Sequence, residues 1–268
     1  MKTDYQHILV ETDGRVLTVA INRPEARNAL HAAANAELAE VFDAFEADDE
    51  LWVAIITGAG DKAFCAGNDL KATAEGAGLN LPKSGFAGLT SRFDGCKPVI
   101  AAVNGVAMGG GFEIVLACDV VVADDSAIFA LPEARIGLAP LAGAMHRLPR
   151  KIGLARALPL LITGRRVSAA EGKELGFVTE VVSGNVLAGA RRWAAEIIQC
   201  SPCSVRAIKS VVAAGLDEPS LKAAMEAETA NPAMVDLFRS HDFKEGPRAF
   251  VEKRAPVWKA GRAKEQTS

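Results

Sequence analysis

An α/β fold is what this chain predicts, and three observations carry the prediction. The segments WVAIITG and PVIAAVNG are almost continuously apolar, as strands covered on both faces must be. Between them and the N-terminus, Leu38, Val41, Phe42 and Phe45 recur at helical spacing. From Ile152 onward the pattern becomes almost wholly helical, punctuated by Gly, Ser and Pro.

In chain order, ILVETDGRVLTVAINRP reads as two strands around Asp13-Gly14, a hairpin signal. Asn28 then precedes a helix over ALHAAANAELAEVFDAFEAD. WVAIITG is a buried strand ending at Gly58, and residues 72–88, rich in Gly and Ala, are expected to form a mobile loop that covers a site. After PVIAAVNG and a glycine-rich turn, DVVVAD and AIFAL make further short strands. KIGLARALPLLITG, SAAEGKELG, NVLAGARRWAAEIIQ and VRAIKSVVAAG follow as helices. There is no low-complexity segment and no strict repeat.

The chain has 268 residues, 50% hydrophobic and 24% charged, enough for one large or two small globular units. A formal charge of -3, with no Lys/Arg run interleaved with aromatics, argues against nucleic acid as a partner. The longest apolar runs are too short or too charged to span a bilayer, and MKTDYQHILVETDG lacks a signal-peptide core, so a cytoplasmic protein without a membrane partner is expected. The 5 cysteines fit reduced thiols better than a disulfide framework. Cys200 and Cys203 have CxxC spacing, but no second pair follows and His7, His31, His146 and His241 are scattered, so no metal is expected.

The stretch NGVAMGGGFEIVLACD carries the chemistry. A strand delivers the chain to Gly109, Gly110 and Gly111, and a helix starts near Gly110, so unpaired N–H groups face outward at a positive helix end. Such a turn suits an anion or oxyanion, with glycine leaving room for close approach; packing of the helix against a strand is the competing explanation. GVAMGGG is not GxGxxG, no Lys-Ser/Thr follows, and no GxSxG elbow exists. A second turn, Ala66-Gly67-Asn68-Asp69 within ITGAGDKAFCAGNDLK, repeats the strand-to-helix passage. Two N–H donors on one oxygen would stabilise a developing enolate. Glu113 lies about one turn into the helix, and Glu133 lies in FALPEARIGLAP, both among apolar neighbours. Each alone fits a helix-surface residue; as a pair in an apolar pocket they would hold one raised pKa and share a water as acid and base.

Taken together, AFCAGNDLK, KPVIAAVNGVAMGGGFEIVLACD, FALPEARIGLAP, RLPRKIG, LLITGRRVSAAEGKELGFVTEVV and EGPRAFVEKRAPVWK resemble the crotonase superfamily, specifically the enoyl-CoA hydratases, from the Asn22-Arg23-Pro24 turn to Trp258. The resemblance implies a ClpP-like spiral of repeated ββα units in two roughly perpendicular sheets, with the core and acyl-CoA site in 1–200. It also implies a helical region, 201–268, that builds homotrimers, often paired into hexamers, and contacts CoA. It puts the oxyanion donors on the backbone N–H groups of Asn68 and Gly110 and the catalytic pair on Glu113 and Glu133. Both glutamates would hold the water that adds to Cβ of a 2-enoyl-CoA thioester, with Glu133 exchanging the proton at Cα. Ala66, Gly109 and Lys71 would line the acyl-CoA site, and Lys253 would reach the CoA phosphate of a neighbouring subunit. No cofactor is implied, CoA being part of the substrate.

SGFAGLT, VAIITGAGDKAF, FALPEARIG and EGPRAFVEKRAPVWK look most like the carnitinyl-CoA dehydratase branch, although that branch has an acidic residue where this chain has Leu141. An isomerase of the same superfamily and a non-catalytic acyl-CoA binder are the competing readings. Possession of both glutamates favours hydration.

Overall fold

A computed structural model describes residues 4–71 and 81–260. Strands β1 (Ile8–Asp13) and β2 (Val16–Ile21) form the expected antiparallel hairpin, with Gly14 at its tip. Parallel to β2 run β3 (Val53–Gly58), β5 (Val99–Val103), β7 (Val120–Asp124) and β10 (Glu180–Val182), completing a six-stranded sheet in the order β1-β2-β3-β5-β7-β10. A smaller sheet takes β4 (Ala63–Cys65), β6 (Val106–Met108), β8 (Ile128–Ala130) and β9 (Val167–Ser168), in that order. Each of the pairs β3–β4, β5–β6 and β7–β8 therefore gives one strand to each sheet. The chain repeats structurally where its sequence shows no strict repeat, and this is the α/β spiral that the motifs imply.

The continuous apolar character of β3 and β5 has a simple cause: both faces of the larger sheet are covered. Ala54 and Ile56 point into a core shared with Leu38, Phe42 and Phe45 of helix α1 (Ala32–Ala47). Val53 and Ile55 point the other way, onto Val186, Ala190 and Ala194 of helix α6 (Val186–Ile198). Fully burying side chains such as Phe42 or Phe45 contributes roughly 1.5–3 kcal/mol each, so α1 is held mainly by its apolar stripe.

Three expectations need correction. Helix α1 starts at Ala32, capped by His31, whose Nδ1 accepts from the Ala34 N–H at 3.1 Å. Asn28 is not at the cap: it takes a left-handed φ of 58°, and its amide donates to the carbonyls of Ala59 at 3.0 Å and Ala63 at 2.7 Å. KIGLARALPLLITG divides at Gly153 into α3 (Ala144–Ile152) and α4 (Leu154–Thr163), and α3 reaches back to Ala144 with Pro149 inside it, a residue that ordinarily breaks a helical pattern. Finally, the helical last third contains β9 and β10, strands too short for a period to register in sequence.

The remaining helices are α2 (Gly110–Ala117), α5 (Ala169–Leu175), α7 (Pro202–Asp217), α8 (Leu221–Ala227), α9 (Pro232–Arg239) and α10 (Asp242–Glu252). The chain beyond α10 is tied back: Arg254 Nη2 pairs with Glu245 Oε2 at 2.9 Å, and Trp258 Nε1 donates to the Gln199 carbonyl at 2.7 Å. None of the five cysteines forms a disulfide. Among the described residues no helix is long and apolar enough to cross a membrane, and no group of three or more His, Cys, Asp or Glu is placed to hold a metal ion. Of the loop expected over 72–88, residues 72–80 lie outside the described residues.

Candidate active site

Strands β4 and β6 are parallel neighbours, with Cys65 opposite Ala107, so the turns that leave their ends emerge side by side. Gly67, at φ 93°, makes the contact between them: a Cβ there would stand 2.8 Å from the Met108 carbonyl oxygen and 3.1 Å from the Gly110 nitrogen. Only glycine meets both demands. The first turn is pinned from behind, because the Leu30 N–H donates to the Gly67 carbonyl at 2.8 Å and the Asp69 N–H to the Leu30 carbonyl at 3.0 Å. Asn68 is held between these two bonds, while the Ala66 N–H donates to the Arg27 carbonyl at 3.0 Å. The two turns expected to carry the donors thus meet.

Each glycine of the second turn has its own neighbour. Gly109, with φ 53° and ψ -122°, precedes α2 and donates its N–H to the Ala130 carbonyl at 2.9 Å. A Cβ at Gly109 would stand 2.7 Å from Glu133 Oε1, and one at Gly110 2.6 Å from the Phe86 ring; one at Gly111 would collide with the Cys65 carbonyl. Each of these glycines therefore makes room for a protein neighbour, Glu133, Phe86 or β4, whatever room it also leaves for a ligand. Gly110, the first residue of α2, has an N–H with no intrahelical acceptor.

Both acids are at this place. Glu113 projects from the first turn of α2, is 3% exposed, and accepts the Ala144 N–H on Oε1 at 3.0 Å. Burial pushes its pKa up from the ordinary 4.5 to about 7; the Ala144 hydrogen bond works against the rise and the Glu133 charge adds to it. Glu133 belongs to the one-turn 3-10 helix Pro132–Ile136 that follows β8, and burial raises its pKa too. Its Oε2 is buried and accepts a hydrogen bond from no described residue. An unsatisfied buried polar group costs about 1–3 kcal/mol, so this carboxylate oxygen is a candidate acceptor at the site.

Residues not anticipated from sequence support the pair. Segment 85–90 folds between α1 and α2, with the Phe86 N–H donating to Thr90 Oγ1 at 2.8 Å and the Ala87 N–H to Asn35 Oδ1 at 2.7 Å. Ala87 has a left-handed φ of 55°, a conformation costing of order 1–3 kcal/mol in a non-glycine residue. Arg147 of α3 donates from Nη2 to the Thr90 carbonyl at 2.9 Å, and its guanidinium favours the charged form of Glu113. A cavity of about 760 Å³ adjoins this cluster, with Ala142, Gly143, Phe93, Asp94, Leu141 and Arg147 on its walls.

Lys71 is exposed, soon after the Asn68 turn. Lys253 is not brought to the acids: it is the exposed C-cap of α10, a helix packed on α7 and α9.

Comparison with known proteins follows the same lines. The family described as enoyl-CoA hydratase/isomerase matches residues 11–261. A carnitinyl-CoA dehydratase of Proteus mirabilis (strain HI4320) is 44% identical over 259 residues, covering 95% of this chain and 98% of its own. A carnitinyl-CoA dehydratase of Escherichia coli (strain K12) is 43% identical, covering 92% and 96%. Among solved structures, enoyl-CoA hydratase from Mycobacterium tuberculosis H37Rv superposes with a TM-score of 0.89 at 38% identity, over 95% of this chain and 99% of that one. A carnitinyl-CoA dehydratase from Mycobacterium avium 104 gives a TM-score of 0.75 at 42% identity, over 95% and 99%.

Proposed function

Because this chain belongs to the enoyl-CoA hydratase/isomerase family, we propose that it is a hydro-lyase that adds water across the 2,3 double bond of a 2-enoyl-CoA thioester, and removes it in the reverse direction. The observation that carries the reading is the convergence of two pKa-raised carboxylates, Glu113 and Glu133, on turns bearing Asn68 and Gly110. The backbone N–H groups of Asn68 and Gly110 take the thioester oxygen as it gains charge. Glu113 and Glu133 hold the water. As its oxygen bonds to Cβ and the double-bond pair moves onto the thioester, Glu113 takes the proton that the water gives up, and Glu133 in its protonated form gives a proton to Cα. The proton left on Glu113 restores Glu133 before the next turnover. A carboxyl titrating near 7 is matched to both directions of proton transfer at neutral pH. Ala66, Gly109 and Lys71 belong to the acyl-CoA binding surface; CoA is part of the substrate and no separate cofactor is required.

A second reading, dehydration of carnitinyl-CoA, draws on the adjoining cavity. Asp94 on its wall offers a carboxylate for a quaternary ammonium, beside the Phe93 ring, over which the Arg147 guanidinium already lies at 5.7 Å; Leu141, 83% exposed on the same wall, offers neither. The two are separated by kcat/KM for crotonyl-CoA against crotonobetainyl-CoA, with a 3-enoyl-CoA as a third substrate. Preference for crotonyl-CoA supports the first reading and preference for crotonobetainyl-CoA the second; conversion of the 3-enoyl thioester to its 2-enoyl isomer without added water overturns both in favour of an isomerase.

The enzyme works as a homotrimer or a dimer of trimers. Leu154, Leu158 and Ile162 form a stripe along α4 and are 66%, 46% and 63% exposed, an apolar surface suited to burial against another copy. In the assembly Lys253 reaches the CoA phosphate of a neighbouring subunit. Light scattering should give a mass of three or six chains; a monomer would exclude this arrangement. Unlinked thiols fit a cytoplasmic location.

A further inference from the structure

Phe86 is the least expected neighbour of the site. Three atoms of its ring stand 2.6, 2.8 and 3.1 Å from where a Gly110 Cβ would be, so the ring lies flush on the Gly110 Cα. The side chain is 3% exposed. Its backbone is fixed with unusual redundancy. The Phe86 N–H is bound by Thr90 Oγ1 and the Ala87 N–H by Asn35 Oδ1, and Asn35 and Thr90 are themselves 1% and 2% exposed. Gly85 and Gly88, at φ 80° and 67°, bracket Phe86 and the left-handed Ala87, and a Cβ on Gly88 would stand 2.5 Å from the Ala39 Cα. Arg147 holds the Thr90 carbonyl from the side of Glu113. Strained backbone that its surroundings over-determine is characteristic of functional positions. Here the strain is spent on setting one aromatic ring against the residue whose N–H is to face the thioester oxygen.

We infer that Phe86, locked by Asn35 and Thr90, is a positioning residue that fixes the direction of the Gly110 N–H and so preorganises one of the two oxyanion donors. The inference rests on the hydratase reading. A glycine has no side chain of its own to wedge the backbone, and an oxyanion donor works only when its direction is set before charge develops. The ring supplies the wedge that Gly110 lacks.

The test is a two-residue cycle. In Phe86→Ala, kcat for crotonyl-CoA should fall about 10- to 100-fold with KM changed by less than about threefold, because a small misplacement of a reacting group can cost about 10² in rate. In the wild-type background Gly110→Ala should be harmful, since its methyl meets the ring. In the Phe86→Ala background the same methyl enters the vacated space, and Gly110→Ala should raise kcat. That reversal of sign is a readout that a merely structural role for Phe86 would not produce. Should Phe86→Ala fail to fold by circular dichroism, Phe86→Leu takes its place in the cycle, because leucine lacks the outer ring atoms that a Gly110 methyl meets and still leaves room for that methyl.

An activity-independent arm uses acetyl-CoA labelled with 13C at the thioester carbonyl. Its infrared stretch should shift to lower frequency on binding to the wild type and shift less on binding to Phe86→Ala. Unchanged kcat and an unchanged carbonyl shift in Phe86→Ala overturn the role of Phe86 while leaving the hydratase reading intact. A wild type that shifts the carbonyl but hydrates nothing, with the shift lost in Phe86→Ala, overturns the hydratase reading and leaves the role of Phe86 standing. No shift in the wild type removes the donor, and the inference with it.

Discussion

Glu133→Gln is expected to lower kcat for hydration of a 2-enoyl-CoA by about 10²–10⁴, the usual worth of a general acid or base. The amide keeps the size of the carboxylate and its packing against Gly109, so KM should change little. What is lost is the proton that Oε2, buried and without a hydrogen bond from any described residue, is proposed to exchange. Glu113→Gln should show a loss of similar size for a different reason. Its Oε1 accepts the Ala144 N–H, and an amide oxygen can still do so, but an amide cannot accept a proton from the water. On the proposed mechanism the two acids act on one water, so the double variant should be little worse than either single one.

The same Glu113 variant has a consequence for stability. The unfolded chain releases this proton near 4.5 and the folded chain near 7, so between those values the folded protein holds the proton more tightly. The stability that this proton contributes is full below 4.5 and is lost as pH rises through about 7. At about 1.4 kcal/mol per pH unit, the loss is on the order of 3 kcal/mol. Glu113→Gln lacks the liability, so its unfolding free energy relative to wild type should improve between about pH 5 and pH 8, as denaturant titrations at the two pH values would read. An equal gap at both would mean that Glu113 titrates normally. A variant both slower and more stable at high pH is the usual exchange between activity and stability.

Gly110→Pro should be the most damaging backbone change, with kcat reduced by at least about 10²–10³, the typical effect of deleting one oxyanion donor. Proline is tolerated at the first position of a helix, so α2 can still form. The substitution removes the N–H and also directs a Cβ at the Phe86 ring, 2.6 Å away. The two effects separate in the Phe86→Ala background, where the collision is relieved but the donor is still missing: Gly110→Pro should remain inactive there. Binding of a CoA thioester, measured by calorimetry, should survive. Full turnover by Gly110→Pro would show that its N–H is not a donor to the substrate.

How much of this is legible in sequence depends on the reach of each signal. Gly109–Gly111 and Glu113 sit in one short run, and apolar neighbours on both sides of Glu113 already imply burial. The buried strands β3 and β5 are readable because cover on both faces leaves no polar position. Glu133 can be proposed as a partner for Glu113 from the apolar character of FALPEARIGLAP, but bringing the two together takes the fold, since β6 and β8 must pair for Gly109 to meet Glu133. Phe86 and Arg147 leave no local mark: the first looks like one apolar residue in a glycine-rich loop, and the second like a surface arginine of a helix. The contacts of Asn28 with Ala59 and Ala63 override the local preference that suggests a helix start. The glycines do belong to the site, but for more than the reason their spacing offers, because sequence cannot tell room left for a ligand from room filled by a distant ring or carbonyl.

Addition of water to an enoyl thioester by these carboxylates and backbone donors is put to the proof by mixing the purified protein with crotonyl-CoA, following the conjugated enoyl-thioester absorbance, and weighing the product by mass spectrometry. Loss of the absorbance with the mass of one water gained, abolished in Glu133→Gln, is the predicted result. An absorbance that does not change while the thioester is bound, or a product without the added water, would contradict it.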